Sequence, residues 1–347
     1  MKPKVAMLLP YFGPLPNYFA LALQSYASNA DFDWYLFTDD RSPHDYPPNV
    51  FVTYTTLERL KERFQGYFDF PLALERPYKL CDYKPLYGHL FTDELKGYDF
   101  WGHFDPDVIF GRIGNFIPDE FYQRYDKIFD RGHFALYRNI PAVNLLYREQ
   151  VAGCADYRVV LASERNWAFD EREDGVNAFF APRNLKLYLG SPIANIFYGD
   201  YALRLDGEAK GRGTKSAQSC FAYEQGGIYR HYLQAEEIHR EEFMYLHLQK
   251  RKMEVLSPDP STYLIFGNAF RAAEPITRSF LSSANQDRIF YRYFWAKRRF
   301  ATRIRTAWRM LILEQDYRKF TARTLRKFRT LLGGGRSHGV TSRPSLR

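Results

Sequence analysis

The chain has 347 residues, of which 46% are apolar and 18% aromatic, and its formal net charge is +9. This length is enough for one large domain or two small ones, each with a core of its own. No apolar run reaches the roughly 18 residues of a transmembrane helix, and Pro10 and Pro14 interrupt the first apolar stretch, which argues against a signal peptide. Three scattered cysteines form neither a metal-binding spacing nor a disulfide framework, so we expect a reducing cytoplasm.

The positive charge is concentrated in the last part of the chain. Residues 285–347 contain 17 Lys and Arg against 3 Asp and Glu, whereas residues 1–284 contain 32 basic and 37 acidic residues. A mildly acidic body is therefore followed by a strongly basic segment with a net charge of +14. Such an asymmetry indicates a negatively charged partner for the basic segment.

The first half of the chain alternates between strand and helix patterns. Strands are predicted at 4–12, 32–40, 49–56 and 98–105, and helices at 17–29, 57–68 and, with a proline interruption, 77–95. This alternation favours a parallel α/β sheet. Because ligands of such sheets bind beyond the carboxyl ends of the strands, we expect Pro10–Gly13, Thr38–Asp40 and Asp105–Asp107 to converge there.

The remainder of the chain is less regular. Residues 133–139 and 243–253 have strand patterns, and the Gly- and Lys-rich stretch 207–219 is predicted to be a mobile lid. Residues 286–332 mix apolar and basic side chains in a helical pattern. We therefore predict three regions: a domain at 1–260 with halves 1–110 and 111–260, a basic helical extension at 261–332, and a disordered tail at 333–347.

Asp105-Pro106-Asp107 follows one apolar run and precedes another, Val108–Phe110. Two carboxylates at i and i+2, at the end of a strand, can both bind one hard divalent cation. Such a cation can neutralise the phosphates of a nucleotide and the charge of a departing diphosphate. Triplets of this kind also occur in surface turns, but a surface turn would have polar flanks. The sequence therefore favours a metal site over a structural turn.

Three stretches together resemble one protein family: KLCDYKPLYG (79–88), WGHFDPDVIFG (101–111) and YLHLQKRKM (245–253). Over about residues 3–260, the chain is similar to bacterial GT-A-type glycosyltransferase-like proteins of capsule and surface-polysaccharide gene clusters. The resemblance implies an α/β fold of the GT-A type, a Rossmann-like fold of nucleotide-diphospho-sugar transferases. It also implies Mn²⁺ or Mg²⁺ and a nucleotide-sugar donor, with a UDP-sugar expected. The function implied is metal-dependent sugar transfer to a saccharide or lipid-linked acceptor.

The resemblance assigns the metal to Asp105, Asp107 and a late histidine, His247, and it assigns the diphosphate to Lys250. Imidazole is a suitable third ligand for Mn²⁺, and a lysine acts on phosphate as a compact charge. The alternative for His247 is a hydrogen-bonded core histidine beside a basic surface cluster. The chain lacks the His-x-x-Gly-x-x-Lys-Pro-Trp ending of other retaining GT-A enzymes, which leaves the contact of Lys250 with the diphosphate open.

The resemblance further implies that the helix before Asp105 directs Lys79, Asp82 and Lys84 at the sugar and diphosphate. Lys79 and Asp82 are three residues apart and share a helix face. The alternative is an ion pair on the surface, which would contribute little to stability.

Two further groups of residues are predicted from their position in the sequence. Pro10, Tyr11, Phe12 and Gly13 form a turn after the first strand, where a ring can stack on a base and a glycine lets the backbone approach a ribose or phosphate. Asp39 or Asp40, after the second strand, could accept a hydrogen bond from the base or ribose.

A catalytic base is predicted in the acidic stretch 167–180. An inverting transferase needs a carboxylate that deprotonates the acceptor hydroxyl, and Asp170 or Glu171 is the expected residue. The alternatives are a solvated acidic loop, or a retaining reaction in which no such base is required.

The basic segment 285–332 carries aromatic side chains among its Lys and Arg, a pattern that suits the surface of an anionic membrane. The alternatives for this segment are nucleic-acid binding by the same charge and a helix that packs its apolar side on the body. We therefore expect a cytoplasmic protein, peripheral on the inner face of the plasma membrane, that binds no nucleic acid. Alternatives are a non-enzymatic, basic-tailed protein bound to a membrane or to nucleic acid, and a nucleotidyltransferase. The last class commonly has a Gly-rich basic loop after the first strand, unlike residues 10–16 here.

Overall fold

The computed structural model describes residues 2–190, 192–197, 202–208, 215–249, 251–256 and 259–284. The predicted membrane-binding segment 285–332, the tail 333–347, Lys250 and the middle of the predicted lid at 207–219 lie outside the described residues. The chain divides after Asp287, and all described residues precede that division. Within them, no helix is long and apolar enough to cross a membrane.

The strands of the described residues are β1 (Val5–Tyr11), β2 (Phe32–Thr38), β3 (Val50–Tyr54), β4 (Phe100–Phe104), β5 (Val108–Phe110), β6 (Lys127–Arg131), β7 (Phe134–Arg138), β8 (Leu187–Tyr188), β9 (Ala194–Asn195), β10 (Ser219–Glu224), β11 (Gly227–Gln234), β12 (Glu237–Phe243), β13 (Tyr245–His247), β14 (Glu254–Leu256), β15 (Thr262–Phe266) and β16 (Ala269–Ala272). The α-helices are α1 (Phe19–Ala27), α2 (Leu57–Gln65), α3 (Tyr87–Leu90), α4 (Asp119–Arg124), α5 (Pro141–Asn144), α6 (Tyr157–Leu161) and α7 (Arg278–Ala284). Short 3₁₀ helices lie at Pro77–Leu86, Ile113–Asn115, Leu146–Arg148, Val176–Phe179 and Ala181–Arg183.

The largest sheet is a mixed seven-stranded sheet in the order β3-β2-β1-β4-β7-β6-β8. Its first four strands are mutually parallel, and β7 runs antiparallel to β4. Strand β1 is buried on both faces: Met7 lies in one hydrophobic cluster, and Leu8 lies in a second cluster on the other side. The predicted α/β class and the predicted alternation of strands and helices in the first third are confirmed.

A six-stranded sheet, in the order β12-β11-β10-β15-β16-β14, follows in the second part of the chain. It is antiparallel except for the β14–β16 pair. Residues 262–272 form β15 and β16 of this sheet, where a helical extension beginning at 261 was predicted. Tyr263, Leu264 and Ile265 are all buried, on both faces of the sheet, and a fully buried strand has no period-2 alternation that would distinguish it from an apolar helix.

The third sheet is small and lies at the candidate site, with strand order β5-β13-β9. Strand β13 pairs antiparallel with β5 and parallel with β9. The predicted strand 243–253 is therefore only the three residues of β13, with the end of β12 before it. The predicted helix 77–95 is a 3₁₀ helix that contains Pro85, continued by the short α3.

Candidate metal and nucleotide site

A cavity of about 860 Å³ opens where β1 and β4 end. Its walls include residues 8–12 and 14–18, the start of the 3₁₀ helix at Tyr78, and residues 104–107. Because β1 and β4 are parallel neighbours, their carboxyl ends lie at the same edge of the sheet. The predicted convergence of the turn after β1 with Asp105–Asp107 is therefore present in the fold.

Asp105, Asp107 and His247 form one cluster at this edge. One potential ligand atom from each of the three lies within 4.8 Å of the other two. The pairing of β13 with β5 explains this proximity, because His247 lies directly opposite Val108, the residue after Asp107. The backbone carbonyl of Asp107 also accepts a hydrogen bond from the N–H of Leu248, at 3.0 Å.

The imidazole of His247 is held from two sides. Its Nδ1 donates to Oδ1 of Asn195 at 2.8 Å, and the same oxygen accepts from Nε2 of Gln249 at 2.8 Å. The ring of His133 lies against that of His247, with centroids 4.2 Å apart, and Nδ1 of His133 is 2.7 Å from the hydroxyl of Tyr245. Burial and the neighbouring His247 lower the pKa of His133 well below its usual value, so this ring is neutral.

The chemistry of this donor set fits a divalent cation. When the imidazole of His247 is neutral and its proton is on Nδ1, the Nε2 lone pair faces Oδ1 of Asp107, at 3.4 Å. Two acceptors that face each other repel, and a cation bound by both removes that repulsion. Two carboxylates and one imidazole are ligands that Mn²⁺ accepts readily, and Mg²⁺ accepts the carboxylates.

The model of a protein family described as a family of unknown function, DUF6625, matches residues 7–274 of the chain. The chain belongs to the DUF6625 family. The match runs past the predicted boundary at residue 260 and includes β15, β16 and all three residues of the cluster. No curated protein matches the chain.

In this DUF6625 chain, Lys84 lies in the wall of the cavity and contacts the cluster directly. Its Nζ donates to Oδ1 of Asp105 at 2.6 Å and to the carbonyl of Gly132 at 2.7 Å. Burial disfavours the ammonium, but the charges around it, with Asp105 the largest and Asp170 also contributing, hold the pKa of Lys84 well above its usual value. Lys84 therefore remains charged and fixes one oxygen of Asp105.

Lys79 and Asp82 do not reach the cavity, in contrast to their predicted role at the sugar and diphosphate. Both side chains are fully buried. Lys79 donates to Asp82 and to the carbonyls of Val160 and Arg165, at 2.7–2.8 Å, which uses all three N–H groups of its ammonium. Asp82 also accepts from the backbone N–H of Trp167 and Phe169. Lys79 and Asp82 instead connect the 3₁₀ helix Pro77–Leu86 to residues 160–169 by hydrogen bonds.

Asp170 and Glu171 are likewise not in the wall of the cavity. Asp170 is buried behind Lys84, with Oδ2 at 3.9 Å from its Nζ, so it is neither a solvated loop residue nor positioned as the predicted base. Burial raises the pKa of Asp170 to about 7, against the opposing effect of Lys84. Glu171 is exposed and accepts a hydrogen bond from the N–H of Gly132 at 3.2 Å.

Three of the four residues predicted at the end of β1 line the cavity: Pro10 and Tyr11, which are the last residues of the strand, and Phe12, which follows it. Gly13, with a φ of +101°, donates its N–H to Oδ1 of Asp39 at 2.7 Å. Neither of these two lines the cavity, so Asp39 fixes the turn to the end of β2 rather than facing the cavity.

The sequence offered no signal for several residues of the site. Asn195 and His133 are single polar residues in stretches without a motif, and only the β9–β13 pairing and the ring contact bring them to His247. Arg251 and Lys252 line the cavity. The basic run 250–252 could have indicated both, although its first member, Lys250, was the residue predicted to bind the diphosphate.

Proposed function

We propose that this DUF6625 protein is a metal-dependent glycosyltransferase of the GT-A type. It would transfer a sugar from a nucleotide-sugar donor, with a UDP-sugar expected, to a saccharide or lipid-linked acceptor of bacterial surface-polysaccharide synthesis. The observation that carries the proposal is the cluster of Asp105, Asp107 and His247 at the carboxyl edge of a partly parallel sheet, beside a cavity of about 860 Å³. Pockets for small molecules and cofactors typically measure about 300–1,000 Å³, and in α/β sheets they lie beyond the carboxyl ends of the strands.

Each part of the site has a role in this proposal. Asp105, Asp107 and His247 would hold Mn²⁺ or Mg²⁺, which supplies charge neutralisation for the diphosphate as it leaves. Lys84 keeps Asp105 oriented through its 2.6 Å contact. Tyr11 offers a ring for the base of the nucleotide, and Lys252, an exposed cation in the wall of the cavity, offers a positive charge to the phosphates.

The proposal is tested by titrating UDP into wild type, Asp107→Asn and His247→Ala, with Mn²⁺ or with a chelator. Binding should require Mn²⁺ and should weaken at least tenfold in both variants. Glu173→Asn, at an exposed acidic position outside the cluster, is the control. Binding of UDP that is equally tight with a chelator and in Asp107→Asn would contradict the proposal.

A donor screen that measures released nucleoside diphosphate separates the transferase from its enzymatic alternative. A nucleotidyltransferase would release pyrophosphate from a nucleoside triphosphate instead. A protein that turns over no nucleotide sugar and binds no nucleotide is the outcome expected of the non-enzymatic alternative.

We also propose that the basic segment 285–332 binds the anionic inner face of the plasma membrane, where a lipid-linked acceptor would lie. The support is its composition, which combines aromatic and basic side chains. The full chain should sediment with vesicles that contain phosphatidylglycerol and not with neutral vesicles. Exchange of Arg298, Arg299 and Arg303 for Gln should reduce this binding, and equal binding to both kinds of vesicle would contradict the proposal.

A further inference from the structure

Asn195 is the residue of β9 that lies beside His247 in the parallel β9–β13 pair. Its Oδ1 receives two hydrogen bonds of 2.8 Å, one from Nδ1 of His247 and one from Nε2 of Gln249. An amide oxygen can only accept. Nδ1 of His247 must therefore carry the ring proton when the imidazole is neutral.

The position of this proton decides whether His247 can bind a cation. With the proton on Nδ1, the lone pair is on Nε2, the nitrogen that lies 3.4 Å from Oδ1 of Asp107. With the proton on Nε2, an N–H would point at Asp107 and would donate a hydrogen bond to it, so the ring could not serve as a ligand on that side. The nitrogen that binds a metal is set by the hydrogen bond that the other nitrogen makes.

The surroundings of Asn195 keep it in place for this task. Gln249 donates to the same oxygen, which fixes the orientation of the amide. The ring of His133 packs against His247 with centroids 4.2 Å apart, so His247 cannot turn freely once its Nδ1–H is bound.

We infer that Asn195 is a positioning residue that selects the metal-binding tautomer of His247. The inference rests on the metal centre of the proposed function, and on no step of sugar transfer. Asn195 itself does not contact the cation. Its amide oxygen keeps the proton of the imidazole away from the nitrogen that faces Asp107, and so prepares the cluster before a cation arrives.

Two substitutions separate this role from a packing role. Asn195→Leu has a similar size and no acceptor, and Asn195→Asp keeps an acceptor at the same place. Mn²⁺ alone, without nucleotide, is titrated into the full chain and its affinity measured. We expect a 10- to 100-fold loss of affinity in Asn195→Leu, and an affinity in Asn195→Asp that stays within about threefold of wild type or exceeds it. Asn115→Leu, at an exposed position outside the cluster, is the matched control.

The tautomer itself is measured by ¹⁵N NMR of the histidine rings in metal-free protein, with His247→Gln used to assign the signal. Wild type and Asn195→Asp should carry the proton on Nδ1, whereas Asn195→Leu should populate the Nε2–H form. This measurement on wild type is decisive even if Asn195→Leu fails to fold.

The outcomes distinguish this inference from the proposed function. Loss of Mn²⁺ affinity and a shifted tautomer in Asn195→Leu support the inference, even in a protein that turns over no nucleotide sugar. An Nε2–H tautomer in wild type, unchanged Mn²⁺ affinity in Asn195→Leu, or wild type that binds no Mn²⁺ would each overturn it.

Discussion

The ammonium of Lys84 lies 2.6 Å from Oδ1 of Asp105 and 3.9 Å from Oδ2 of Asp170. One buried cation is thus shared by a carboxylate at the cavity and a carboxylate behind it. The carbonyl of Gly132 accepts a further hydrogen bond from the same Nζ. Asp170 is thus linked to the cluster through Lys84, and the charge of Asp105 also acts on it.

The first prediction follows from the pKa of Asp170, which burial raises to about 7 from an ordinary value of 3.8. Because the folded chain holds this proton more tightly than the unfolded chain, the side chain stabilises the fold most below pH 4 and loses that contribution as the pH rises to 7. In Asp170→Asn this loss is absent. We expect the unfolding free energy of wild type to fall relative to that of the variant, by up to about 1.4 kcal/mol per pH unit between pH 4 and 7.

Urea unfolding between pH 4 and 9 measures this difference. Above pH 7 the two curves should run parallel. Glu173→Gln, at an exposed position of the same loop, is the matched control. If the unfolding free energy had the same pH dependence in wild type and Asp170→Asn, the pKa of Asp170 would not be raised as described.

The second prediction concerns the buried pair of Lys79 and Asp82. Asp82→Ala leaves the ammonium of Lys79 buried without its carboxylate and removes the acceptor of two backbone N–H groups. The unfolding free energy should fall by about 3–5 kcal/mol. Mn²⁺ affinity should be unchanged under conditions in which the variant is folded, because neither residue lines the cavity.

Asp93→Ala is the control, since Asp93 and Lys96 form an exposed i, i+3 pair, with the order of acid and base along the chain reversed. This change should have no measurable effect on unfolding. If the two variants were equally stable, the buried pair would not have the structural role described above.

The third prediction concerns Gly102, in the strand that leads to Asp105. A Cβ at this position would lie 2.6 Å from the carbonyl oxygen of Ala135 and 2.7 Å from Sδ of Met7. Gly102→Ala should therefore destabilise the fold by about 1–3 kcal/mol through overpacking. Thermal and chemical unfolding are the measurements. Gly114→Ala, where a Cβ meets nothing within 4 Å, should unfold like wild type.

The fourth prediction tests whether the ring of Tyr11 binds the base. Tyr11→Leu removes the ring, and UDP binding in the presence of Mn²⁺ should weaken by about 1–3 kcal/mol, the usual contribution of stacking on an aromatic side chain. Tyr11→Phe loses only the hydrogen bond from the hydroxyl to the carbonyl of Pro14 and should bind like wild type. Equal UDP affinity in all three proteins would place the base elsewhere.

The sequence was most informative where the pattern is local. Up to residue 105, each strand or helix can be recognised from residues that are close together in the sequence. All four strands predicted in that part are present. The proximity of Asp105, Asp107 and His247 also followed from the sequence, but only through a resemblance, because no local pattern links residues so far apart.

Other parts of the fold depend on contacts that the sequence does not display. Lys79 and Asp82 share a helix face, but only the packing of residues 160–169 over them makes that face buried. Strand β12 forms an edge of the six-stranded sheet, and its mostly charged residues show no apolar alternation. The role of Asn195 depends on a strand of two residues, which is too short to produce a pattern.

The pairing of β13 with β5 has a consequence for the order in which the protein is made. Asp107 leaves the ribosome 140 residues ahead of His247. At translation speeds of 5–20 residues per second, the two aspartates exist for roughly 7 to 28 s without their imidazole partner. At the proposed metal centre, a nascent chain therefore has only the two aspartates, and the third proposed ligand is added when the last strand of the small sheet is inserted.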